Sequence, residues 1–252
     1  MNLWAILPCR ARSERLYCKP LQKIGGRPIL QHLIDGIRRL GIVDGVALGI
    51  SEGRENHCFI EFAEEHGLPF VIGPELNVLK RVIDIVDKFD VDTMFRMTTE
   101  CPFIYHYDAA DVLAQHVQQE IQFTTISQLP LGTTYELIDC RVLREMAATN
   151  DPRYYAALAR YIQDNSDLFR IRLVPPREDC RRPELNFAID HPGQLTYCRL
   201  AYDNLAGRGL PVQVADLIKF HDENPLVAAL VESIHEDVFA VKPDRTMARL
   251  WA

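Results

Sequence analysis

The sequence lacks the patterns that identify several large classes of protein. Its seven cysteines are odd in number and widely spaced, with no C-x-x-C pair, and its eight histidines form no H-x-x-x-H or H-E-x-x-H pattern. We therefore expect neither a disulfide framework nor a zinc site, and we predict free thiols in a reducing compartment, the cytoplasm. No apolar run approaches the roughly 18 residues that a membrane span needs, so we expect no membrane partner.

An excess of positive charge is also missing. The chain has 28 Lys and Arg against 35 Asp and Glu, a net charge of −7, which argues against nucleic acid as a partner. Its 252 residues, 48% of them hydrophobic, suit one globular domain. We predict a single domain over residues 1–252, with residues 207–252 as a C-terminal helical extension.

Apolar residues alternate between strand-like and helix-like spacing along the chain. Predicted strands cover Leu3–Leu7, Val46–Ile50, Phe70–Ile72, Thr93–Thr98, Phe123–Ser127, Leu168–Val174 and Leu185–Ile189. Predicted helices cover Ile29–Leu40, Asn56–His66, Val78–Phe89, Tyr107–Gln119, Cys140–Thr149, Arg153–Asn165, Gly193–Leu205 and Val227–Glu236. The β-α-β-α order in the first half predicts an α/β fold with a mainly parallel sheet and helices on both faces.

A basic loop follows the first predicted strand. The basic residues between positions 10 and 27 are Arg10, Arg12, Arg15, Lys19, Lys23 and Arg27, against one acid, Glu14. A loop at the carboxyl end of a strand is where an open α/β sheet binds its ligand, and clustered cations favour an anionic ligand such as phosphate. On composition alone, a phosphate-binding loop and a solvated basic turn explain this segment equally well.

Two acids also follow predicted strands. Glu100 lies just past the strand Thr93–Thr98, and Asp190 ends the strand Leu185–Ile189. Taken singly, Glu100 is explained as a turn cap and Asp190 as a helix N-cap. Together with the basic loop they form the set that phosphoryl or nucleotidyl transfer requires, namely carboxylates for Mg²⁺ and cations for phosphate oxygens.

Five segments of the chain carry motifs in a fixed order. Residues 9–21 read C-R-A-R-S-E-R-L-Y-C-K-P-L, residues 23–30 read K-I-G-G-R-P-I-L, and residues 77–81 read N-V-L-K-R. Residues 95–104 read F-R-M-T-T-E-C-P-F-I, and residues 185–192 read L-N-F-A-I-D-H-P. These segments resemble signatures of the cytidylyltransferases that make CMP-activated sugars, such as the CMP-Kdo and CMP-acylneuraminate synthetases. The closest resemblance is to the spore-coat polysaccharide branch of that family.

The resemblance implies a three-layer α/β/α nucleotide-diphospho-sugar transferase-like fold with a mixed, mainly parallel sheet. It also implies a homodimer that transfers CMP from CTP to an acidic sugar or similar small acceptor, with Mg²⁺ as cofactor and pyrophosphate as product, in surface polysaccharide biosynthesis. The residues implied in nucleotide binding are Leu7, Pro8, Arg10, Ser13, Arg15, Lys19 and Arg81, with Arg10 and Lys19 also catalytic. Arg96 and Glu136 are the implied acceptor residues, and Glu100 and Asp190 the implied metal ligands. The resemblance also makes residues 130–165 a candidate insertion for dimerisation or acceptor binding.

The chain departs from the family pattern inside the predicted site. Thr99-Glu100 stands where the family has Gly-Asp, Tyr17-Cys18 where it has Pro-Gly, and Cys9 where it has alanine. Two alternatives therefore stay open. One is a catalytically inactive nucleotide-binding homologue, and the other is a nucleotidyltransferase that uses a different base or a phosphonate or sugar-phosphate acceptor.

A polar loop further along the chain has two interpretations. Its basic residues are Arg177, Arg181 and Arg182. They either receive an acidic group of the acceptor or belong to a solvated loop, and the composition favours the solvated loop.

Overall fold

The computed structural model describes residues 1–206 and 211–229. Its strands are β1 (Leu3–Cys9), β2 (Lys23–Ile24), β3 (Arg27–Pro28), β4 (Gly45–Ser51), β5 (Phe70–Gly73), β6 (Thr93–Arg96), β7 (Phe123–Ile126), β8 (Glu136–Asp139) and β9 (Ile171–Val174). Its helices are α1 (Ile29–Leu40), α2 (His57–Glu65), α3 (Val78–Lys88), α4 (Ala109–Gln118), α5 (Cys140–Thr149), α6 (Leu158–Asp164), α7 (Pro192–Leu205) and α8 (Val214–Glu223). Short 3₁₀ helices cover Lys19–Leu21, Arg54–Asn56, Pro152–Tyr154, Ser166–Leu168 and Glu178–Cys180.

Seven strands form one sheet in the order β5-β4-β1-β6-β8-β7-β9. Strand β1 lies between β4 and β6 and is parallel to both, and the pairs β4–β5 and β7–β9 are parallel as well. Strand β8 runs antiparallel to its two neighbours, β6 and β7. The short strands β2 and β3 form a separate antiparallel pair. The prediction of an α/β fold with a mixed, mainly parallel sheet is confirmed.

Hydrophobic side chains from the two faces of the sheet enter two separate cores. In β1, Ala5 and Leu7 face a core that also receives residues of α1, α2, α4, α7 and α8. Ile6 faces the opposite core, which is covered by α3, α5 and α6. This alternation is the two-residue period of an extended strand, and it produces an α/β/α sandwich. No helix in the described ranges combines the length and the apolar character needed to cross a membrane.

The strands bring several loops to one edge of the sheet. Strands β1, β4, β5 and β6 all end at this edge because they are parallel. Strand β8 begins there because it runs the other way, so its first residue, Glu136, is the register partner of Arg96, the last residue of β6. Loops from distant parts of the chain therefore meet at this edge, as ligand sites of open α/β sheets require.

One predicted strand is absent from the fold. The segment Leu185–Ile189 makes a single parallel bridge, between Asn186 and Leu131, in place of a strand. Its backbone pairs with a loop residue, since Leu131 donates to the carbonyl of Leu185 and Phe187 donates to the carbonyl of Leu131. The segment is buried and extended as its composition predicts, but it lies beside the loop that precedes β8 and not in the sheet.

Strands β2, β3 and β8 were not predicted from the sequence. Strand β8 lies inside the segment 130–165, so part of that segment belongs to the central sheet. Helix α8 lies in the segment 207–252, for which a helical extension was predicted, and packs Val214, Leu217 and Phe220 into the core that α7 also enters. Much of the predicted helix Val227–Glu236 lies outside the described residues.

Gly132 holds the loop before β8 against the segment that leads to Asp190. Its φ is +86°, and a Cβ at this position would lie 2.5 Å from the backbone nitrogen of Ala188. We predict that Gly132→Ala lowers the free energy of unfolding by about 2–4 kcal/mol, because left-handed backbone strain and a backbone clash add together. Urea denaturation measures the change.

Gly26→Ala is the matched control for this substitution. Gly26 has a similar φ of +79°, but an added Cβ would meet nothing within 4 Å. Its expected cost is the backbone strain alone, about 1 kcal/mol. Equal losses in the two variants would contradict the tight contact between Gly132 and Ala188.

Candidate active site

A cleft of about 270 Å³ opens at the edge of the sheet where β1 and β6 end. Its walls come from the loop after β1, the segment after β6, the residues before α3 and the start of α6. Most of the predicted site residues meet here. The lining residues are Pro8, Cys9, Arg10, Arg12, Ser13, Lys19, Pro20, Glu75, Leu76, Val78, Arg81, Arg96, Met97, Thr98, Thr99, Glu100, Ala156 and Leu158.

Backbone hydrogen bonds close the basic loop after β1. The Cys18 amide donates to the carbonyl of Ala11 at 2.8 Å, and the Ala11 amide donates to the side-chain oxygen of Asn56 at 2.8 Å. Cys18 has a φ of 51°, in the left-handed region, and caps the 3₁₀ helix that begins at Lys19. The end of the loop at Cys18 therefore lies next to its beginning at Ala11, which places Lys19 near the end of β1.

Lys19 and Asp190 form the contact that assembles the site. The Lys19 ammonium lies 2.6 Å from the Asp190 carboxylate, across 171 positions of sequence. The Arg15 guanidinium lies 3.4 Å from the same carboxylate. The predicted nucleotide-binding and metal-binding residues thus lie together, with one carboxylate between two cations.

The remaining cations of the loop have different environments. Arg10 is exposed and lines the cleft; it makes no hydrogen bond or ion pair with the described part of the chain. Arg12 points to acids at the rim, with Glu55 at 3.1 Å and Glu75 at 3.8 Å. Arg10 is therefore available to an anionic ligand, whereas the charge of Arg12 is compensated by the protein.

Glu100 lies next to the segment that carries Asp190. The Ile189 amide donates to the Glu100 carbonyl at 3.1 Å, which fixes the two acid-bearing segments side by side. Burial, and then the negative charge of Asp190, raise the pKa of the Glu100 carboxyl. Thr99, which replaces the family's glycine, is buried and donates its hydroxyl to the Pro8 carbonyl at 3.2 Å. The Thr99 side chain, which a glycine would lack, therefore links the segment after β6 to the end of β1.

Glu100 and Asp190 fit a divalent cation that is shared with a ligand. A carboxyl whose pKa is raised by a neighbouring carboxylate is stabilised in its charged form by a bound cation. Among residues 1–206 and 211–229, no three His, Cys, Asp or Glu side chains converge on one point. The donor set suits a hard cation that takes one or two carboxylates from the protein and further oxygens from water and phosphate.

Arg81 is a buried cation at the base of the cleft. It is 1% exposed and donates from Nη1 to the carbonyls of Cys9 at 3.0 Å and Gly49 at 2.7 Å. Burial lowers the pKa of its guanidinium. Its Nε finds no hydrogen-bond partner among the described residues. Arg81 thus ties the carboxyl end of β1 to β4, and its contact with a nucleotide stays a prediction.

Arg96 and Glu136 form an ion pair at the far side of the cleft. Arg96 Nη1 lies 2.5 Å from a Glu136 carboxylate oxygen, and the two side chains are only 20% and 10% exposed. Burial lowers the pKa of Arg96, but the Glu136 charge outweighs this and leaves it raised. The other N–H groups of Arg96 make no hydrogen bond within the described ranges, so they are available to a ligand.

Several predicted residues stand apart from this arrangement. The Leu7 side chain is fully buried in a core, and Leu7 is not among the residues that line the cleft. Arginines of the later polar loop pair with acids of the protein. Arg177 lies 2.8 Å from Asp179 of the same loop, and Arg182 lies 2.8 Å from Asp222 of α8. These pairs favour the interpretation as a solvated loop.

The cleft also contains residues that sequence reasoning missed. Glu75 and Leu76 line the cleft and follow β5, and their position after a predicted strand is a signal that could have identified them. Ala156 and Leu158 carry no chemical signal, and they reach the cleft because the Leu79 amide donates to the Tyr155 carbonyl at 2.8 Å. Small and apolar wall residues of this kind cannot be recognised from their residue type.

Comparisons with known proteins identify the family. A family model described as cytidylyltransferase matches residues 4–177. The chain is 23% identical over 227 residues to the spore coat polysaccharide biosynthesis protein SpsF of Bacillus subtilis, which covers 87% of this chain and 94% of that protein.

Solved structures are similar over most of their length. One is a cytidylyltransferase from Leptospira borgpetersenii, with a TM-score of 0.81, 18% identity, and coverage of 90% of this chain and 96% of that chain. Another is a CMP:2-keto-3-deoxy-manno-octonic acid synthetase complexed with CTP, with a TM-score of 0.60, 15% identity, and coverage of 83% and 100%.

These similarities first define a class of fold. The mixed α/β sandwich is that of the nucleotide-diphospho-sugar transferases, as the sequence motifs predicted. The family follows from the matched segment, which spans well over half of the chain: the protein belongs to the cytidylyltransferase family. Its relatives include the polysaccharide biosynthesis protein above and a 3-deoxy-manno-octulosonate cytidylyltransferase of Acidobacterium capsulatum, 28% identical over 129 residues that cover 50% of this chain and 51% of that protein.

We predict that Glu136→Leu lowers the free energy of unfolding by about 2–4 kcal/mol, because it leaves the Arg96 charge partly buried without its partner. The double variant Arg96→Met/Glu136→Leu is expected to recover most of this loss, since an apolar pair replaces the ion pair. Chemical denaturation of the single and double variants measures both effects.

An exposed ion pair supplies the control for this experiment. Lys80 and Asp84 pair on α3 with side-chain exposures of 54% and 33%, so Asp84→Ala is expected to cost less than about 1 kcal/mol. A double variant as unstable as Glu136→Leu would contradict the explanation by an unpaired charge.

We predict that Glu100→Gln stabilises the metal-free protein at neutral pH. The pKa of Glu100 is higher in the folded state than in the unfolded state, so folding favours the neutral carboxyl. The stability gained in this way is fully present below the unfolded pKa and is lost as the pH rises through the folded pKa. Gln carries no charge at any pH. Thermal unfolding in a chelator should therefore show a higher Tm for the variant at pH 7.5, by about 2–4 °C for each kcal/mol, and a smaller difference at pH 4. A difference that does not depend on pH would contradict this account.

Proposed function

We propose that the protein transfers CMP from CTP to an acidic sugar or similar small acceptor and releases pyrophosphate. Membership of the cytidylyltransferase family supports the reaction class. The relative in spore coat polysaccharide biosynthesis supports a role in making surface polysaccharide or glycoconjugate. The similar synthetase with CTP in its structure supports CTP as the nucleotide donor.

The observation that carries this proposal is the ion pair between Lys19 and Asp190. Its 2.6 Å contact brings the basic loop against the second acid of the site. Cations for phosphate oxygens and carboxylates for a bridging metal are the combination that phosphoryl and nucleotidyl transfer require. A solvated turn and an isolated helix cap would not need to meet.

The loop residues bind and polarise the triphosphate in this proposal. The acceptor oxygen attacks the α-phosphorus in line, the bond to the β-phosphate breaks, and pyrophosphate leaves with the bonding electrons. Arg10 and Lys19 stabilise the negative charge that develops on the leaving group, and Ser13 donates to a phosphate oxygen. Because Lys19 and Arg15 are already held at the cleft by Asp190, little reorganisation is needed when the triphosphate enters.

Glu100 and Asp190 hold Mg²⁺ in this proposal. When bound, Mg²⁺ neutralises charge on the phosphate oxygens during transfer. The Glu100 carboxyl must be ionised to act as a ligand, so metal affinity decreases as the pH is lowered. Glutamate replaces the family's aspartate here, and its longer side chain starts from a backbone that Thr99 fixes to β1.

Arg96 is the proposed contact for an acidic group of the acceptor. Glu136 holds one side of the guanidinium, and the remaining N–H groups can donate to a carboxylate without displacing Glu136. We propose that Glu136 orients Arg96 and also limits the positive charge on the acceptor side. An acceptor with one carboxylate suits this arrangement better than a dianionic phosphonate does.

We extend the proposal to a cytoplasmic homodimer. The seven free cysteines suit a reducing compartment. Following the resemblance to the family, we propose the segment 130–165 as the dimerisation region. Analytical ultracentrifugation measures the subunit number directly.

We predict pyrophosphate release when the purified protein is given CTP, Mg²⁺ and a panel of 2-keto sugar acids. Lys19→Met should lower kcat/KM by at least about 100-fold, because it removes a charge that stabilises the leaving group. Lys23→Met is the matched control, since Lys23 belongs to the same basic segment but is exposed outside the cleft. A coupled pyrophosphate assay measures both variants.

Thermal shifts with CTP, UTP, GTP and ATP separate the alternatives. The proposal predicts the largest stabilisation by CTP. Tight CTP binding without turnover on any acceptor, not rescued by Glu100→Asp, would instead favour an inactive nucleotide-binding homologue. Larger stabilisation by a purine nucleotide would exclude the cytidine assignment.

A further inference from the structure

Two thiols face each other beside the basic loop. The Sγ atoms of Cys18 and Cys58 lie 3.7 Å apart, within hydrogen-bonding distance for sulfur, although the residues are 40 positions apart in the chain. Cys18 lies in the loop after β1, and Cys58 lies in the first turn of α2. The Cys58 thiol also donates to the Glu55 carbonyl at 3.5 Å, so its position is fixed by local structure.

These two cysteines differ from the other five in their exposure. Cys18 and Cys58 are partly exposed, whereas the remaining thiols are buried. The buried cysteines are Cys9, Cys101, Cys140, Cys180 and Cys198. A small reagent in solution can therefore reach the Cys18–Cys58 pair more readily than any other thiol of the protein.

The backbone at Cys18 is a second, independent observation. Cys18 has a φ of 51°, a conformation that costs a residue with a Cβ roughly 1–2 kcal/mol relative to glycine. The family motif has glycine at this position, and the loop keeps the geometry that glycine would favour. The loop therefore holds a thiol where glycine would be less strained, and this thiol contacts a second one.

We propose that Cys18 and Cys58 form a thiol-oxidation site, which a low-molecular-weight disulfide converts reversibly into a Cys18–Cys58 disulfide. One protein thiolate attacks the reagent, whose S–S bond breaks and releases one thiol, and a mixed disulfide forms. The second protein thiol then displaces the remaining half of the reagent. The protein loses two protons and two electrons, and the reagent accepts both as it becomes two thiols.

The geometry permits this bond with a small movement. A disulfide has an S–S distance of about 2.05 Å, so the sulfurs must approach by roughly 1.7 Å, which side-chain rotation and a small loop shift can supply. Burial raises the pKa of the Cys18 thiol to about 12. The thiolate fraction at neutral pH is therefore low, and we expect oxidation to be slow near pH 7 and faster at higher pH.

The consequence of oxidation rests on the proposed function. Cys18 is bonded to Lys19, whose ammonium lies 2.6 Å from Asp190, and α2 follows Glu55, the partner of Arg12 at 3.1 Å. A bond between the sulfurs pulls the loop toward α2 and draws Lys19 away from the triphosphate position. Oxidation should therefore weaken CTP binding, and by linkage bound CTP should oppose oxidation.

The test uses the full reduced chain with oxidised glutathione as the probe, at pH 8. After free thiols are alkylated, non-reducing peptide mapping should show one cross-link, between Cys18 and Cys58, with a loss of about 2 Da that dithiothreitol reverses. Cys58→Ser and Cys18→Gly should each abolish the cross-link. Cys18→Gly should fold well, because glycine suits the positive φ at this position.

CTP affinity is then measured for the reduced and oxidised protein by calorimetry. Oxidation should weaken it by about fivefold or more, whereas the Cys58→Ser variant should bind CTP equally before and after treatment. A cross-link that includes Cys9, or a stable mixed disulfide with glutathione, would overturn the proposed pair, and so would the absence of any cross-link. An unchanged CTP affinity after cross-linking would overturn its effect on the loop.

The two proposals fail in different ways. If the cross-link forms but the reduced protein does not bind CTP, the oxidation site stands and the cytidylyltransferase proposal fails. If the reduced protein binds CTP but no cross-link forms, the cytidylyltransferase proposal stands and the oxidation site fails.

Discussion

The parallel pairing of β1 with both of its neighbours is the constraint on which the candidate site depends. The strand is held along its length by β4, from Trp4 opposite Gly45 to Cys9 opposite Ile50, and at its start by β6. Two further contacts fix its carboxyl end. Arg81 donates to the Cys9 and Gly49 carbonyls, and the Thr99 hydroxyl donates to the Pro8 carbonyl. The basic loop continues directly from this end of β1. The sheet therefore fixes where the loop begins, and with it the position of the loop's cations at the cleft.

Two cations of the site are balanced by acids of the protein. Asp190 neutralises Lys19, and Glu136 neutralises Arg96. Partly buried pairs of this kind add little net stability, but they hold each side chain in one orientation. Other charges lack such a partner among the described residues: Arg81 donates to backbone carbonyls, and burial and the neighbouring Asp190 both oppose the ionisation of Glu100. The ionised Glu100 carboxylate therefore lowers the free energy of unfolding, as charged groups retained for binding often do.

The sequence predicted most of the residues that meet at the cleft, but not all of the strands that bring them together. The basic loop, Glu100 and Asp190 were recognisable because each follows an apolar segment and is chemically distinctive. The segment Leu185–Ile189 is apolar, which predicts a strand, yet it pairs with Leu131 outside the sheet. Strand β8 was missed because it has only four residues, two of them acidic, and its place is determined by pairing with β6 and β7. Long-range pairing of this kind leaves no local signal, and neither do wall residues such as Ala156 and Leu158.

The reversed direction of β8 divides the cleft into two parts with separate chain connections. The basic loop and the segment after β6 leave the sheet at this edge, whereas the loop after β7 enters the sheet there, at Glu136. That entering loop is held at Leu131 and Gly132 by the segment that leads to Asp190, and the Thr133 carbonyl accepts a hydrogen bond from the Tyr105 amide. One reversed strand in a parallel sheet thus brings side chains to a single edge by two routes of the chain, one that leaves the sheet and one that enters it.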